Sequence, residues 1–166
     1  MTIRIILDSN IYGLIIDDHL ENQIIEKTNI HKNQLIFYGM KEIRKELRAS
    51  PKHSGDNYNL RFALLHLYDS VTKNHSIEVK PLAKNMALLY YQEYRRNKGA
   101  LSWREMMPDL LIVAQATLSQ IDIVTSHDNR SMMSEAAKKA YYSVNKEHNM
   151  ITPNFIGYGE FKRKLF

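Results

Sequence analysis

The sequence predicts an α/β fold: a three-layer α/β/α sandwich around a central parallel sheet, with an inserted helical hairpin. Short β-branched apolar runs alternate along the chain with segments whose apolar residues recur at helical spacing. A chain of 166 residues, 44% hydrophobic and 25% charged, can bury one sizeable core and is too apolar to be disordered. We therefore expect a single domain over residues 1–166.

The predicted strands are short, nearly continuous apolar runs, which are typical of strands buried on both faces of a parallel sheet. They lie at Ile3–Leu7, 34–38 and 121–126, and a further short strand is expected around Phe155 and Ile156. A basic helix containing Phe161 and Leu165 should follow the last of them.

Apolar residues at helical spacing predict the helices between these strands. The stripes consist of Met40, Ile43 and Leu47; of Leu60, Leu64, Leu67 and Val71; of Leu82, Met86, Leu89 and Tyr90; and of Met133, Ala136, Ala137, Ala140, Tyr141 and Val144. Pro108 places the first turn of another helix, whose apolar run begins at Leu110. Loops at 49–57 and 97–102 bound a segment without a strong strand, so a helical hairpin is predicted over about 57–97.

Composition narrows the function classes. The absence of cysteine excludes disulfide scaffolds, thiolate zinc sites and a cysteine nucleophile, and it is typical of a cytoplasmic protein. The first ten residues lack the apolar core of a signal peptide and no apolar run could span a bilayer, so we expect neither export nor a membrane helix. A net charge of +5 favours a nucleic-acid partner.

Four acids stand where solvated charges are not expected. Asp8 directly follows the first strand, Asp128 follows the third, Glu46 lies in the helix after the second, and Asp109 opens the most apolar helix. Ligands of open parallel sheets bind beyond the carboxyl ends of the strands. We therefore expect these four carboxylates to meet at one edge of the sheet.

Each acid also has an ordinary structural interpretation. Asp8 could cap the helix that starts at Ser9, Asp109 could gain from the helix dipole, and Asp128 could sit in a turn or cap the next helix. Glu46 could be solvated, and Glu42 one turn earlier fits the spacing equally well. Capping alone does not require one acid after each strand, however, and the pattern therefore favours a shared site.

Carboxylates that converge repel one another unless a cation neutralises them. Oxygen ligands without cysteine or paired histidine indicate Mg²⁺ or Mn²⁺ and argue against zinc. Such a site suits hydrolysis of phosphodiesters, because a bound divalent cation activates water and offsets charge on the phosphate. No histidine base is required. His127 is adjacent to Asp128, but the side chains of neighbouring residues usually diverge, and the other six histidines show no ligand spacing.

The order of the segments "LDSNIYG", "IRKELR", "MMPDLLIVAQA" and "IVTSHDNRSM" resembles the PIN domain, a metal-dependent nuclease family. The resemblance covers nearly the whole chain apart from 57–97, and the ending "TPNFIGYGEFKRKL" resembles a subgroup of archaeal PIN proteins. By motif position it places the metal-binding and catalytic acids on Asp8, Glu46, Asp109 and Asp128. It prefers Glu46 over Glu42, because a Leu follows the acid in the family pattern.

The resemblance also implies supporting residues and partners. Ser126 and Asn10 would orient the carboxylates that hold the cation. The implied activity is an Mg²⁺- or Mn²⁺-dependent endoribonuclease acting on single-stranded or structured RNA. A toxin of the VapC type, with a small antitoxin partner, is one role within this family, and a homodimer is plausible. The aromatic residue that often follows the last acid is absent, and Met132 or Met133 could take its packing role.

Cationic and aromatic residues near the acids predict a surface for nucleic acid, because phosphates attract cations and bases stack on rings. The residues proposed for this role are Arg44, Lys45, Arg48, Arg95, Arg96, Trp103 and Arg104. Tyr90 fits the apolar stripe of its helix as well, and a charge run is commonly just a solvated face.

Two rival functions follow from the same residues. Phosphatases that form an aspartyl phosphate need a second acid two residues after the first, and here that position is Asn10. The stronger rival is a catalytically inactive PIN-like scaffold that binds RNA or a protein partner. Metal-dependent cleavage of RNA, and its loss on changing Asp109 to Asn, separates the nuclease from the scaffold.

Overall fold

The computed structural model describes residues 1–53 and 58–166 as an α/β protein. Its elements in chain order are β1 (Ile3–Leu7), α1 (Ser9–Asp17), α2 (Glu21–Ile30), β2 (Leu35–Met40), α3 (Lys41–Ala49), α4 (Leu60–Thr72), β3 (Ser76–Ile77), α5 (Pro81–Arg96), α6 (Trp103–Leu118), β4 (Ile123–Thr125), α7 (Glu135–Glu147), β5 (Asn154–Ile156) and α8 (Tyr158–Leu165). One or two helices follow each strand, in keeping with the mixture of strand and helix that the apolar patterning predicts.

The five strands form one sheet in the order β3-β2-β1-β4-β5, and every neighbouring pair is parallel. The chain proceeds from β1 through β2 to β3 on one side, then crosses back to place β4 and β5 on the other side of β1. Such a reversal creates a crevice at the carboxyl ends of β1 and β4, the usual ligand position in open parallel sheets.

The helices form two groups around this sheet. Helix α4 packs on α1, α2, α3 and β2, whereas α5 packs on α6 and α7. Right-handed crossovers in opposite directions put helices on opposite faces of a sheet, which explains the two groups. The result is the expected α/β/α layering around a parallel sheet.

The core confirms most of the apolar stripes. The buried face of α7 contains Ala137, Ala140, Tyr141 and Val144, and that of α4 contains Leu64, Leu67 and Val71. On α5, however, Leu82 and Leu89 are exposed, and Ala83 and Ala87 are buried instead. The small alanines allow α5 to approach α6 and α7 closely, so the buried face lies to one side of the predicted stripe.

The segment predicted as a helical hairpin contains the two helices α4 and α5, with a strand between them that the sequence did not reveal. Strand β3 pairs in parallel with β2 at the edge of the sheet, and the two helices have different neighbours. Of the predicted loop 49–57, residues 54–57 lie outside the described residues. Within the described residues, no helix is long and apolar enough to span a bilayer.

Candidate active site

Asp8 stands at the junction of β1 and α1, at the carboxyl edge of the sheet. Its side chain accepts a hydrogen bond from the backbone N–H of Ser9 at 2.8 Å, so it caps α1 as the structural interpretation proposed. The residue is nevertheless only 4% exposed. A buried carboxylate is costly to ionise unless donors or a cation compensate it, so the capping contact alone does not account for Asp8.

Two further donors fix the Asp8 carboxylate. The Ser126 hydroxyl and the Asn10 side-chain amide each lie 2.7 Å from Oδ2 of Asp8. Ser126 is fully buried directly after β4, and Oδ1 of Asn10 accepts a 3.0 Å hydrogen bond from the backbone of His127. The ends of β1 and β4 are therefore joined by hydrogen bonds of Asn10 and Ser126 that hold the Asp8 carboxylate in place.

Asp128 lies in the turn after β4. Its Oδ1 accepts hydrogen bonds from the backbone N–H groups of Arg130 and Ser131, at 2.9 and 3.0 Å. Its Oδ2 accepts a 2.7 Å hydrogen bond from the Ser131 hydroxyl. Asp128 thus organises this turn but does not cap the next helix, because α7 begins at Glu135 with Ser134 as its N-cap.

Asp109 comes from the interior of α6, not from its first turn. The helix begins at Trp103, where Ser102 and Glu105 form a reciprocal capping box, and Pro108 lies inside the helix. The expectation that Pro108 marks the first turn is therefore wrong, and the helix dipole no longer explains an acid at this position. Asp109 shares the face of Ile112, Val113 and Ala116, all fully buried.

Glu46 reaches the same edge from α3. Its Oε2 accepts a 2.6 Å hydrogen bond from the hydroxyl of Ser9, the residue that follows Asp8. Glu42 has one carboxylate oxygen buried without a hydrogen-bond partner among the described residues, and no hydrogen bond there links it to this site. The structure therefore places Glu46, and not Glu42, beside Asp8.

The negative charges of neighbouring acids contribute to the raised pKa values of Asp8, Glu46 and Asp109. Burial raises the pKa of Asp109 to about 7, and the charges of Asp8, Asp128 and Glu46 add to the increase despite the Ser131 hydrogen bond. Burial also raises the pKa of Asp8 and of Glu46. For Asp128, burial is outweighed by the hydrogen bonds from Ser131 and Arg130, so its pKa is lowered. Four carboxylates thus share one region of negative potential.

No described cation forms an ion pair with these acids, although the charge of Arg130 contributes to the lowered pKa of Asp128. Within the two described ranges, none of the four acids has a Lys or Arg nitrogen within 4.0 Å. The donors are carboxylate and hydroxyl oxygens, which fit Mg²⁺ or Mn²⁺. No three acidic or histidine side chains of the described residues stand close enough together to form a ready ligand group. A cation here would therefore keep water among its ligands, as Mg²⁺ commonly does.

The predicted nucleic-acid residues have different surroundings. Arg44 is held by Asp69 through two hydrogen bonds of 2.9 and 3.0 Å, and Arg96 by Glu93. The side chains of Lys45, Arg48, Arg95 and Arg104 are exposed and have no salt bridge to any described residue. These four remain the better candidates for phosphate contacts.

The aromatic residues between α5 and α6 are mostly structural. Tyr90 is buried and donates a 2.6 Å hydrogen bond to Asn145. Tyr94 is buried too, and its hydroxyl accepts from the backbone N–H of Leu101. Trp103 is partly exposed and packs edge-on against Tyr91, with ring centroids 5.4 Å apart. Trp103 and Tyr91 are therefore the partly exposed rings of this group, whereas Tyr90 and Tyr94 are buried.

Two serines of the site were not predicted. Ser9 contacts Glu46, and the hydroxyl of Ser131 contacts both Asp109 and Asp128. Serine is common at the surface and in turns, and neither position carries a pattern that would separate it from other serines. The only available signal is that each lies one to three residues after a predicted site acid.

The order of the parallel sheet and the helices on its two faces define a PIN-like α/β fold. Solved structures share this fold. The chain superposes on one chain of the complex described as "VapBC2 from Rickettsia felis bound to a DNA fragment from their promoter". The TM-score is 0.61 and the identity is 11%, over 93% of this chain and 98% of the other chain. It also superposes on a chain of "DNA bound VapBC from Salmonella typhimurium", with a TM-score of 0.57 and 11% identity over 95% and 99%.

Comparisons of the sequence itself found no match. No protein-family model matches the chain, and no curated protein matches its sequence. At 11% identity the structural likeness shows a shared fold, and function has to be argued from the site itself.

Proposed function

We propose that this protein is a divalent-metal-dependent endoribonuclease that hydrolyses RNA phosphodiester bonds. One observation carries the proposal: the half-buried Asp109 of α6 feels the charges of Asp8, Asp128 and Glu46, and none of these acids forms an ion pair with a described residue. Uncompensated buried carboxylates are retained where a metal ion or a reaction needs them.

In this proposal the four acids bind the cation or orient water, and Asn10 and Ser126 orient Asp8. Asp8, Asp109 and Asp128 hold Mg²⁺ or Mn²⁺, directly or through water, and Glu46 is a fourth ligand or orients the attacking water. Asn10 and Ser126 fix Asp8 through the 2.7 Å hydrogen bonds described above. A divalent cation at this position supplies Lewis acidity, which activates water and offsets negative charge on the phosphate.

The decisive experiment incubates purified protein with labelled RNA in Mn²⁺, in Mg²⁺ and in EDTA. We expect cleavage only with the metals and its loss in Asp109→Asn. Asp122→Asn is a matched control, because Asp122 lies at the opposite edge of the sheet, where it accepts a hydrogen bond from the backbone of Arg4. Cleavage that persists in Asp109→Asn would come from another site or a contaminant.

The inactive scaffold is the second candidate. It is favoured by the absence, among the described residues, of three acidic or histidine side chains already grouped as metal ligands. It predicts RNA or protein binding that is unchanged in EDTA and in Asp109→Asn. Absence of metal-dependent products over varied RNA and DNA substrates would support it against the nuclease.

We further propose a small antitoxin protein as the partner, since VapBC complexes, which share the fold, pair a PIN-domain toxin with an antitoxin. A groove of about 320 Å³ adjoins the acids and is lined by Glu46, Asp17 and apolar residues that include Leu47 and Leu64. A partner filling it would have to present cations and apolar side chains together. Growth arrest on expression that disappears in Asp8→Asn would support the toxin role.

A further inference from the structure

We propose that Ser131 is a positioning residue that holds Asp109 and Asp128 as a pair for binding the divalent cation. The inference rests on the proposed function, because it concerns how the same acids hold that cation. It assigns a role to a residue that touches neither the sheet nor, by this proposal, the RNA.

The contacts of Ser131 join two distant parts of the chain. Its hydroxyl lies within hydrogen-bond distance of Oδ2 of Asp109 on α6 and 2.7 Å from Oδ2 of Asp128 in the turn after β4. Among the described residues, no other group donates a hydrogen bond to the Asp109 carboxylate. Without this hydroxyl, no hydrogen bond from the described residues would fix the direction of that carboxylate.

The shared hydroxyl suits a pair that is completed by a cation. A serine hydroxyl carries one hydrogen, so it can donate to only one of the two carboxylates at a time. Two anions brought to one hydroxyl repel each other, and positive charge next to both relieves the repulsion. The single donor therefore aligns the pair, and Oδ1 of Asp109, which accepts no hydrogen bond from the described residues, stays available to a metal ion.

The backbone around Ser131 is itself held in place. Its N–H donates to Asp128 at 3.0 Å, and its carbonyl accepts a 2.9 Å hydrogen bond from the Ser134 hydroxyl at the start of α7. Next to it, Met132 is fully buried and its carbonyl accepts from the Tyr141 hydroxyl. Ser131 is 8% exposed. The hydroxyl is therefore part of a rigid turn, as a positioning role requires.

The test compares three variants of the full chain. Ser131→Ala removes the bridging hydroxyl and Ser131→Thr keeps it. Ser119→Ala is the control: it deletes a serine hydroxyl just after the far end of α6, where that hydroxyl accepts a hydrogen bond from Gln115. Mn²⁺ affinity is measured by electron paramagnetic resonance of the free ion, together with the thermal midpoint and RNA cleavage over a range of Mn²⁺ concentrations.

We expect Ser131→Ala to weaken Mn²⁺ binding about tenfold. Loss of a group that orients metal ligands typically lowers metal affinity by about 10- to 100-fold, and this value is the lower end of that range. Its lost cleavage should return as the Mn²⁺ concentration is raised. Ser131→Thr should bind Mn²⁺ within about threefold of the parent, and Ser119→Ala should leave Mn²⁺ affinity at the parental value.

The outcomes separate this inference from the proposed activity. Parental Mn²⁺ affinity in folded Ser131→Ala overturns the positioning role even if the parent cleaves RNA. Failure of the parent to bind Mn²⁺ overturns it as well. A tenfold loss of Mn²⁺ affinity in a protein that cuts no RNA would uphold the positioning role and defeat the ribonuclease proposal.

Discussion

The hydroxyl of Ser9 donates a 2.6 Å hydrogen bond to Oε2 of Glu46, and this contact joins the start of α1 to α3. It brings Glu46 next to the residue that follows Asp8, and the charge of Asp8 contributes to the raised pKa of Glu46. Glu42 lies one turn earlier on the same helix and has no such contact. The structure therefore distinguishes two glutamates that spacing alone leaves equivalent.

Glu46→Gln should lower RNA cleavage about a hundredfold if Glu46 binds the cation or orients water, in the range typical of a lost acid–base group. Glu42→Gln should change the rate less than about threefold, because it makes the same substitution outside the site. Single-turnover cleavage at saturating Mn²⁺ measures both. Equal losses in the two variants would mean that α3 affects the site only through its general stability.

Asp109→Asn should stabilise the metal-free protein. The Asp109 carboxylate is half-buried and feels the charges of three other acids, so its ionisation at about pH 8 opposes folding, whereas a neutral amide removes that repulsion. We expect a gain on the order of 1 kcal/mol in the free energy of unfolding in EDTA, allowing for a weaker contact with Ser131. Chemical denaturation with and without Mn²⁺ provides the measurement.

Mn²⁺ supplies the control for this prediction. Added Mn²⁺ should stabilise the parent more than Asp109→Asn, because a ligand that binds only the folded state shifts unfolding according to its affinity. The stability gain of the variant should therefore shrink or reverse with the metal. A variant that is less stable than the parent in EDTA would show that hydrogen bonding at Asp109 outweighs charge repulsion.

Much of the fold was predictable because its signals are local. The β-branched runs of β1 and β4 and the regular stripe of α7 identify a parallel sheet covered by helices. Helix α2 was missed because it buries only Ile24 and Thr28, which leaves no apolar stripe in its sequence. Strand β3 has two residues and exists through its pairing with β2, so no local pattern reveals it.

The site was predictable to the extent that acids are unusual at strand ends. Position places Asp8 and Asp128 after their strands, where the structure has them. Pro108, however, is typical of a first helical turn and so predicts Asp109 at a helix start, whereas α6 begins at Trp103. The actual start is marked by Ser102 and Glu105, a capping box that is visible in the sequence. Ser9 and Ser131 acquire their roles only when separate elements meet, which no local pattern encodes.

Acid should loosen the attachment of α8 to α1. Asp18 accepts hydrogen bonds from Lys162 at 2.7 Å and Tyr158 at 3.0 Å, and these contacts lower its pKa below the usual 3.8. An acid whose pKa is lowered by folding stabilises the fold above its unfolded pKa, and that contribution is lost as the pH falls through the folded value. The contribution of Asp18 should thus be complete at neutral pH and disappear below about pH 4.

Asp18→Asn tests this pH dependence. We expect the thermal midpoint of the variant to lie below that of the parent at about pH 7 and the two midpoints to converge as the pH approaches about 3. Glu26→Gln, an exposed acid on α2, is a control that should show no pH-dependent difference from the parent. A constant difference between parent and Asp18→Asn at every pH would indicate that the hydrogen bonds act independently of charge.

Arg48 and Arg44 should differ in their effect on RNA binding, although both lie on α3 near Glu46. Arg48 is exposed and has no salt bridge to a described residue, whereas Arg44 is held by Asp69. In a protein made inactive by Asp109→Asn, we expect Arg48→Ala to weaken binding to every RNA sequence alike. The slope of log affinity against log salt concentration should also become shallower by about one, which corresponds to the loss of one phosphate contact.

Arg44→Ala is the matched comparison. Because Arg44 and Asp69 are both partly exposed, breaking their contact should cost under about 1 kcal/mol of stability, and RNA affinity should stay within about twofold of the parent. Fluorescence anisotropy of a labelled RNA at several salt concentrations measures affinity and slope together. If Arg44→Ala lowers the salt slope and Arg48→Ala does not, the RNA displaces Asp69 on binding, and phosphates approach the acids across α4 instead of across the end of α3.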